Sequence, residues 1–266
     1  MPKIKLAICI PVYGNPEALF MQSLLAAIEH WNRAKLTDAN GDEFEKEVET
    51  FLIQSSMLTE SRHMLVGEAL ASGADYMLWC DADHIFEADA ICRLWARNVD
   101  VVGCNYSRRC KPTAPTAAKV VAPQDEEHDN KNLVYTDAGK AHDNELEEVD
   151  HLGFGLCLIK MSVFDRLQLR AEEKGEKSFL PLFVFKPKED GSGMIGEDVF
   201  FFGKLRDAGI KVYCDHGVSW TVGHISNIVL TNAHAITQRE AWNDRQTKLA
   251  ERYSKRAEEL ETEVEN

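Results

Sequence analysis

The sequence contains no apolar run long enough to cross a bilayer, which needs about 20 residues, no Cys-x-x-Cys pair, and no repeat of solenoid length. Seven cysteines are present, an odd number. Cys9, Cys80, Cys92, Cys104, Cys157 and Cys214 stand in apolar surroundings. Those facts fit reduced thiols in a cytoplasmic protein better than a disulfide frame or a zinc site. Basic residues are also scarce: 30 Lys and Arg face 44 Asp and Glu, for a net charge of −14. Such a chain is ill suited to non-specific nucleic-acid binding, where affinity comes from phosphate neutralisation. Arg108-Arg109-Cys110-Lys111 is the best candidate for a local basic patch. The opening, Met1-Pro2-Lys3-Ile4-Lys5-Leu6, has neither the length nor the cleavage site of a secretory signal.

What is present is the composition of a globular domain, 44% hydrophobic and 28% charged. Apolar residues alternate between strand-like and helical spacing. Strands are expected at Lys5–Ile10, Val48–Ile53, Tyr76–Cys80 and Val99–Asn105. Helices are expected at Glu17–Trp31, Thr59–Ser72 and Ala88–Ala96. This alternation predicts an α/β fold, a mostly parallel central sheet with helices on both faces. Residues 112–150 break the pattern and read as a polar, acidic excursion over the active face, with one strand-like piece at Leu133–Thr136. The pattern resumes at His151–Lys160, a helix at Val163–Lys174, a helix at Glu197–Ala208 and strands at Lys211–Cys214 and Trp220–Ile225. From about Asn232 the chain is helical and charged. Ala241, Leu249, Tyr253, Ala257, Leu260 and Val264 form one apolar stripe, expected to pack on the domain or on a second copy of it.

The most informative stretch is Tyr76-Met77-Leu78-Trp79-Cys80-Asp81-Ala82-Asp83-His84. An apolar strand ends in two carboxylates one residue apart. If the strand continued through them, Asp81 and Asp83 would point the same way, into the crevice where α/β sheets bind ligands. Two close carboxylates call for a positive partner, and a hard divalent cation that also holds a diphosphate fits. An isolated Asp-x-Asp is more often a solvated turn.

The company this pair keeps gives it weight. Ile8-Cys9-Ile10-Pro11-Val12-Tyr13-Gly14-Asn15, Glu60-Ser61-Arg62-His63, Asp81-Ala82-Asp83, Gly196-Glu197-Asp198 and Gly223-His224 occur in that order. In this the chain resembles the nucleotide-sugar glycosyltransferases of the GT-A fold, those like family 2, including compact soluble members from phage and bacteria. The resemblance covers about residues 4–226. It implies a GT-A domain over 1–230, followed by a C-terminal helical extension over 231–266. It also implies transfer of one sugar from a nucleotide-diphosphate-sugar, a UDP-sugar by default, to an acceptor hydroxyl. Mn²⁺ or Mg²⁺ would be bound by Asp81, Asp83 and His224. Pro11, Tyr13, Arg62, Asp81, Asp83 and Arg108 would contact the donor, Tyr13 stacking on the base and Arg62 meeting the diphosphate. Asp198 would be the general base of an inverting displacement, with Glu197 orienting the acceptor or capping the helix. Trp220 would offer a sugar platform.

The chain departs from the family in two places. Gln54-Ser55-Ser56 stands where many members carry a nucleobase-binding aspartate, and the Gln-x-x-Arg-Trp motif of processive members is missing. The acceptor is left as a glycan or a hydroxymethylated DNA base, and a homodimer through the C-terminal helix is a further expectation. Two alternatives stand beside this reading. A sugar nucleotidyltransferase would show a Gly-rich basic loop after the first strand, and Pro11–Pro16 has one Gly and no Arg or Lys. A non-catalytic nucleotide-sugar-binding module would have no need of the intact acidic and histidine set.

Overall fold

The computed structural model describes residues 2–38, 40–120, 132–173, 181–188, 191, 193–226 and 229–265, apart from the side chains of 170, 173 and 257–265. The first half follows the expected alternation: β1 (Lys3–Val12), α1 (Ala18–Arg33), β2 (Glu45–Gln54), α2 (Leu58–Ala71) and β3 (Tyr76–Cys80). Then come β4 (His84–Ile85), α3 (Ala90–Ala96), β5 (Val101–Gly103), α4 (Ala138–His142), β6 (Leu146–Val149) and β7 (Leu156–Lys160). The remainder is α5 (Ser162–Glu173), β8 (Lys186–Pro187), β9 (Met194–Ile195), α6 (Glu197–Asp207), β10 (Val212–Asp215), α7 (His216–Ser219), β11 (Gly223–His224), α8 (Asn232–Thr237) and α9 (Arg239–Glu265).

Seven strands form one sheet in the order β2-β1-β3-β7-β5-β10-β6. β1 pairs in parallel with β2 and β3, and β5 with β10, whereas β7 runs antiparallel to both β3 and β5, and β6 antiparallel to β10. Five strands therefore share one direction and two oppose it. From Leu6 to Val12 β1 is apolar and buried because both faces are covered, the sequence signature of a doubly covered sheet. Ala7 and Cys9 face a core with Leu65 and Ala69 of α2 and Phe201 and Phe202 of α6. Leu6, Ile8 and Ile10 face the opposite core with Phe20, Leu24 and Trp31 of α1 and Ile91 and Leu94 of α3.

Several expectations are corrected. Leu133–Thr136 is not a strand; it contributes one isolated bridge, Ala118↔Leu133. The end of the 112–150 excursion, β6, is instead the edge strand of the central sheet. Its sequence, Leu-Glu-Glu-Val, is too short and acidic to read as a strand, and edge strands tolerate such residues. In α2 the core-facing side chains are Leu65, Val66 and Ala69, while Met64 and Leu70 are about half exposed (51% and 48%). α9 docks through Trp242, which is buried, whereas Leu249 and Tyr253 of the anticipated stripe stay exposed. The side chains of Ala257, Leu260 and Val264, and residues 125–131 of the acidic segment 125–150, lie outside the described residues.

Candidate donor and metal site

The parallel strands β1, β3 and β5 deliver their carboxyl ends to one edge of the sheet, and the candidate residues gather there. β3 ends at Cys80, and Asp81–Asp83 form a turn in which His84 N–H donates to Asp81 C=O at 3.3 Å. The strand alternation that would align Asp81 with Asp83 has stopped by then, and the two carboxylates have separate partners.

Asp81 faces Arg62. The Arg62 Nη2 donates to Asp81 Oδ1 at 3.0 Å and its Nε to Glu197 Oε1 at 3.3 Å. The guanidinium is 3% exposed and lies 4.6 Å from the Phe154 ring centroid and 5.1 Å from that of Trp79. Burial opposes its charge, but Asp81, Glu197 and Asp198 hold the proton on. Arg62 is thus a buried bridge between the β3 turn and the start of α6, not an open phosphate contact. Glu197 is buried and shares that bridge. Asp198 is half-buried; burial first, then the neighbouring Glu197 charge, push its carboxyl up to about 6. The Val199 N–H, donating at 2.8 Å, and Arg62 pull the other way. Gly196 leaves room for this carboxylate: a Cβ there would come within 2.6 Å of Asp198 Oδ1.

Asp83 faces two histidines. In the β4–β11 ribbon His84 is directly opposite His224, so both imidazoles project from one face. Their rings stack with centroids 4.3 Å apart and planes 19° apart. His224 Nε2 is 3.5 Å from Asp83 Oδ2, and His84 Nδ1 is 2.9 Å from Asp83 Oδ1. The latter pair is close but out of line for a hydrogen bond, so both His84 ring nitrogens lack a hydrogen-bond partner although the residue is 1% exposed. His224 Nδ1 donates to the Ser107 carbonyl at 2.9 Å, which orients the ring with Nε2 toward Asp83. Burial disfavours ionised Asp83, but His224 and His84 outweigh it and hold its carboxyl well below the usual range. Burial, reinforced by the His224 charge, lowers the His84 pKa.

These residues fit a divalent cation. One carboxylate and two imidazoles converge, their donor atoms all within 4.8 Å of one another. Separations of 2.9 and 3.5 Å match neighbouring ligands about an ion with bonds of about 2.1 Å. Asp81 stands outside this group. Arg109, an exposed residue, meets Asp83 Oδ2 at 2.8 Å and balances its charge. Arg108 leans on Trp242 of α9, 5.9 Å from the ring centroid. Pro11 is buried in β1, whereas Tyr13 just beyond it is 84% exposed, free of the core. Gln54 Nε2 donates to the Gly14 carbonyl at 3.1 Å and ties the ends of β1 and β2 together. Trp220 is half-buried behind α7.

Sequence reasoning missed His84 as a site residue. Its signal was an imidazole directly after the paired aspartates, with a second in Gly223-His224. It also missed Gly155, where a Cβ would fall 2.5 Å from His84 Nε2 and 2.7 Å from Tyr106 Cε1. A second group, Glu145, Glu147 and His216, also brings together potential ligands. There Glu147 already carries Lys119 at 2.6 Å, Lys140 at 2.5 Å and His216 at 2.9 Å, an ion-pair cluster complete without a metal.

No family model and no curated protein matches this sequence. Solved structures do. A197 from STIV aligns with a TM-score of 0.53 at 16% identity, over 87% of this chain and 91% of that one. The catalytic domain of Drosophila beta1,4galactosyltransferase 7, in complex with xylobiose, aligns at a TM-score of 0.46 and 15% identity, over 84% of this chain and 71% of that one. GalNAc-T7 with UDP, GalNAc and Mn²⁺ aligns at 0.45 and 13%, over 84% and 43%. The last two scores are too low to carry an argument. The fold is therefore that of A197: a mixed α/β sheet covered by helices on both faces.

Proposed function

We propose that the chain is a metal-dependent glycosyltransferase of the GT-A type, moving a single sugar from a nucleotide-diphosphate-sugar to an acceptor hydroxyl. The observation that carries this reading is the Arg62 bridge. It joins the β3 turn, where Asp83 and His224 would hold a cation, to the α6 start, where Asp198 awaits a proton. Donor chemistry and base chemistry thereby meet in one crevice.

Asp83 and His224 would hold the cation, which would supply Lewis-acid stabilisation to a departing diphosphate. Tyr13, exposed at the end of β1, offers its ring to the nucleobase, and a UDP-sugar is the default donor. Arg109, with Arg108 behind it, is available for the diphosphate in place of Arg62, which is enclosed. Asp198, with a pKa of about 6, is mostly ionised at neutral pH and strong enough to take the acceptor proton. The acceptor oxygen then bonds to the anomeric carbon as the bond to the diphosphate oxygen breaks, inverting that centre. Glu197 holds Arg62 and, through it, the turn. A glycan or a hydroxymethylated DNA base is the acceptor class.

The test is a thermal-shift panel of nucleoside diphosphates and nucleotide-sugars with and without Mn²⁺, on the wild type and Asp83→Ala. Saturation at a hundred times Kd adds about 2.7 kcal/mol. A metal-dependent shift with one nucleotide, lost in Asp83→Ala, is expected. No shift with any nucleotide would sink the reading and leave a binding or assembly module.

A further inference from the structure

The geometry points to His84 as a direct ligand, making a centre of two histidines and one carboxylate that takes a transition-metal ion without nucleotide and discriminates against Mg²⁺. The inference rests on the donor site of the proposed function, but not on the reaction carried out there.

Three independent observations converge. The first is register: His84 and His224 are partners across the β4–β11 ribbon, so the backbone itself sets the two imidazoles side by side. The second is an unmet need. His84 is buried with neither ring nitrogen hydrogen-bonded, and its Nδ1 lies 2.9 Å from Asp83 Oδ1. A buried polar atom left without a partner is costly, and native proteins seldom tolerate one without a role. A cation between Asp83 and His84 would satisfy Nδ1. The third is the enclosure. Tyr106 packs edge-on to His84 at 4.3 Å, and Gly155 admits the ring where any side chain would collide. The ring is therefore held in place beside Asp83.

Ligand chemistry sets the metal. Mg²⁺ demands oxygen ligands and keeps its waters, whereas imidazoles suit Mn²⁺, Co²⁺ and Zn²⁺. Arg109 is then the built-in counter-cation: it holds Asp83 at 2.8 Å from an exposed position and yields when the metal arrives.

The experiment titrates Mn²⁺, Co²⁺ and Mg²⁺ into the metal-free protein by calorimetry, without nucleotide. Pulsed EPR of the Mn²⁺ complex counts imidazole nitrogens. The expected results are Mn²⁺ and Co²⁺ binding at least tenfold tighter than Mg²⁺, and two imidazole couplings in the wild type. His84→Asn loses one coupling and at least tenfold in affinity. Arg109→Ala binds Mn²⁺ more tightly, by up to about fivefold, since an exposed ion pair is worth at most about 1 kcal/mol. One imidazole in the wild type, wild-type affinity in His84→Asn, equal affinity for Mg²⁺, or no metal binding would each overturn the inference. The wild-type spectrum decides even if His84→Asn fails to fold. Metal binding with two imidazoles and no nucleotide response would remove the glycosyltransferase reading alone; nucleotide binding with a one-imidazole metal would remove this inference alone.

Discussion

Replacing Arg62 with methionine should damage the protein more than any other single change at the site. Methionine keeps much of the apolar contact with Trp79 and Phe154 but deletes the charge shared by Asp81 and Glu197. Breaking a buried pair by removing one partner costs about 3–5 kcal/mol, because the other charge stays behind unpaired. Asp81 keeps 23% of its side-chain exposure and Glu197 only 9%, so the penalty falls mainly on Glu197. The lower end, about 3 kcal/mol, follows from Asp81 remaining partly hydrated. At about 2–4 °C per kcal/mol for a domain of this size, Tm should fall by about 6–12 °C. The double variant Arg62→Met, Glu197→Gln removes the stranded charge and should recover at least about 1 kcal/mol, a coupling within the range for contacting residues. Urea unfolding followed by circular dichroism measures all four corners of the cycle. A loss under about 1 kcal/mol in Arg62→Met, with no recovery in the double variant, would refute the bridge as a stabilising element. Because Arg62 also lowers the Asp198 pKa, the acidic limb of the activity profile should move up in any folded Arg62→Met enzyme.

Other perturbations have separate readouts. In the wild type, kcat/KM should rise with pH through about 6 as Asp198 ionises. Asp198→Asn should lose about 10²–10⁴ in rate with nucleotide binding intact by thermal shift. The raised Asp198 pKa also acts on stability. The advantage of the neutral carboxyl is complete below its unfolded value of about 4 and is lost as pH rises through about 6. Asp198→Asn should therefore match the wild type at low pH and exceed it at pH of about 7.5 in denaturant titrations. Gly155→Ala forces a methyl to within 2.5 Å of His84 Nε2; an overpacking cost of about 1–3 kcal/mol and loss of the metal-induced thermal shift are expected. Trp242→Ala should release α9, at a cost of about 3 kcal/mol or more, seen as rapid proteolysis after the α8–α9 junction.

The alternation of strand and helix was legible through residue 105 because covered strands and amphipathic helices have distinct periods. The antiparallel sense of β7 was not, since direction leaves no mark on a run such as Leu-Cys-Leu-Ile-Lys. β6 escaped because acidic edge strands resemble loops. At the site, motif order singled out Asp81, Asp83, Glu197, Asp198, Arg62 and His224. It could not divide them between two clusters, because that division depends on β3 stopping at Cys80. Arg62 is expected from sequence to meet the diphosphate; its burial depends on Phe154 and Trp79, one of them 92 positions away in the sequence. His84 became a candidate only through its pairing with a residue 140 positions later.

The position of β7 has a consequence for synthesis. β3 and β5 are separated in the sheet by a strand that emerges more than 50 residues after them. When residue 105 leaves the ribosome, β2-β1-β3 can associate, but β5 has no strand to bind on either side. The nascent chain therefore carries an unfinished sheet with β3 as an open edge until Lys160 is out, and the turn bearing Asp81 and Asp83 hangs from that edge. Pauses in translation between about residue 105 and residue 160 would lengthen the life of this edge and invite pairing with other chains. Production of the protein should thus be sensitive to elongation rate in this interval.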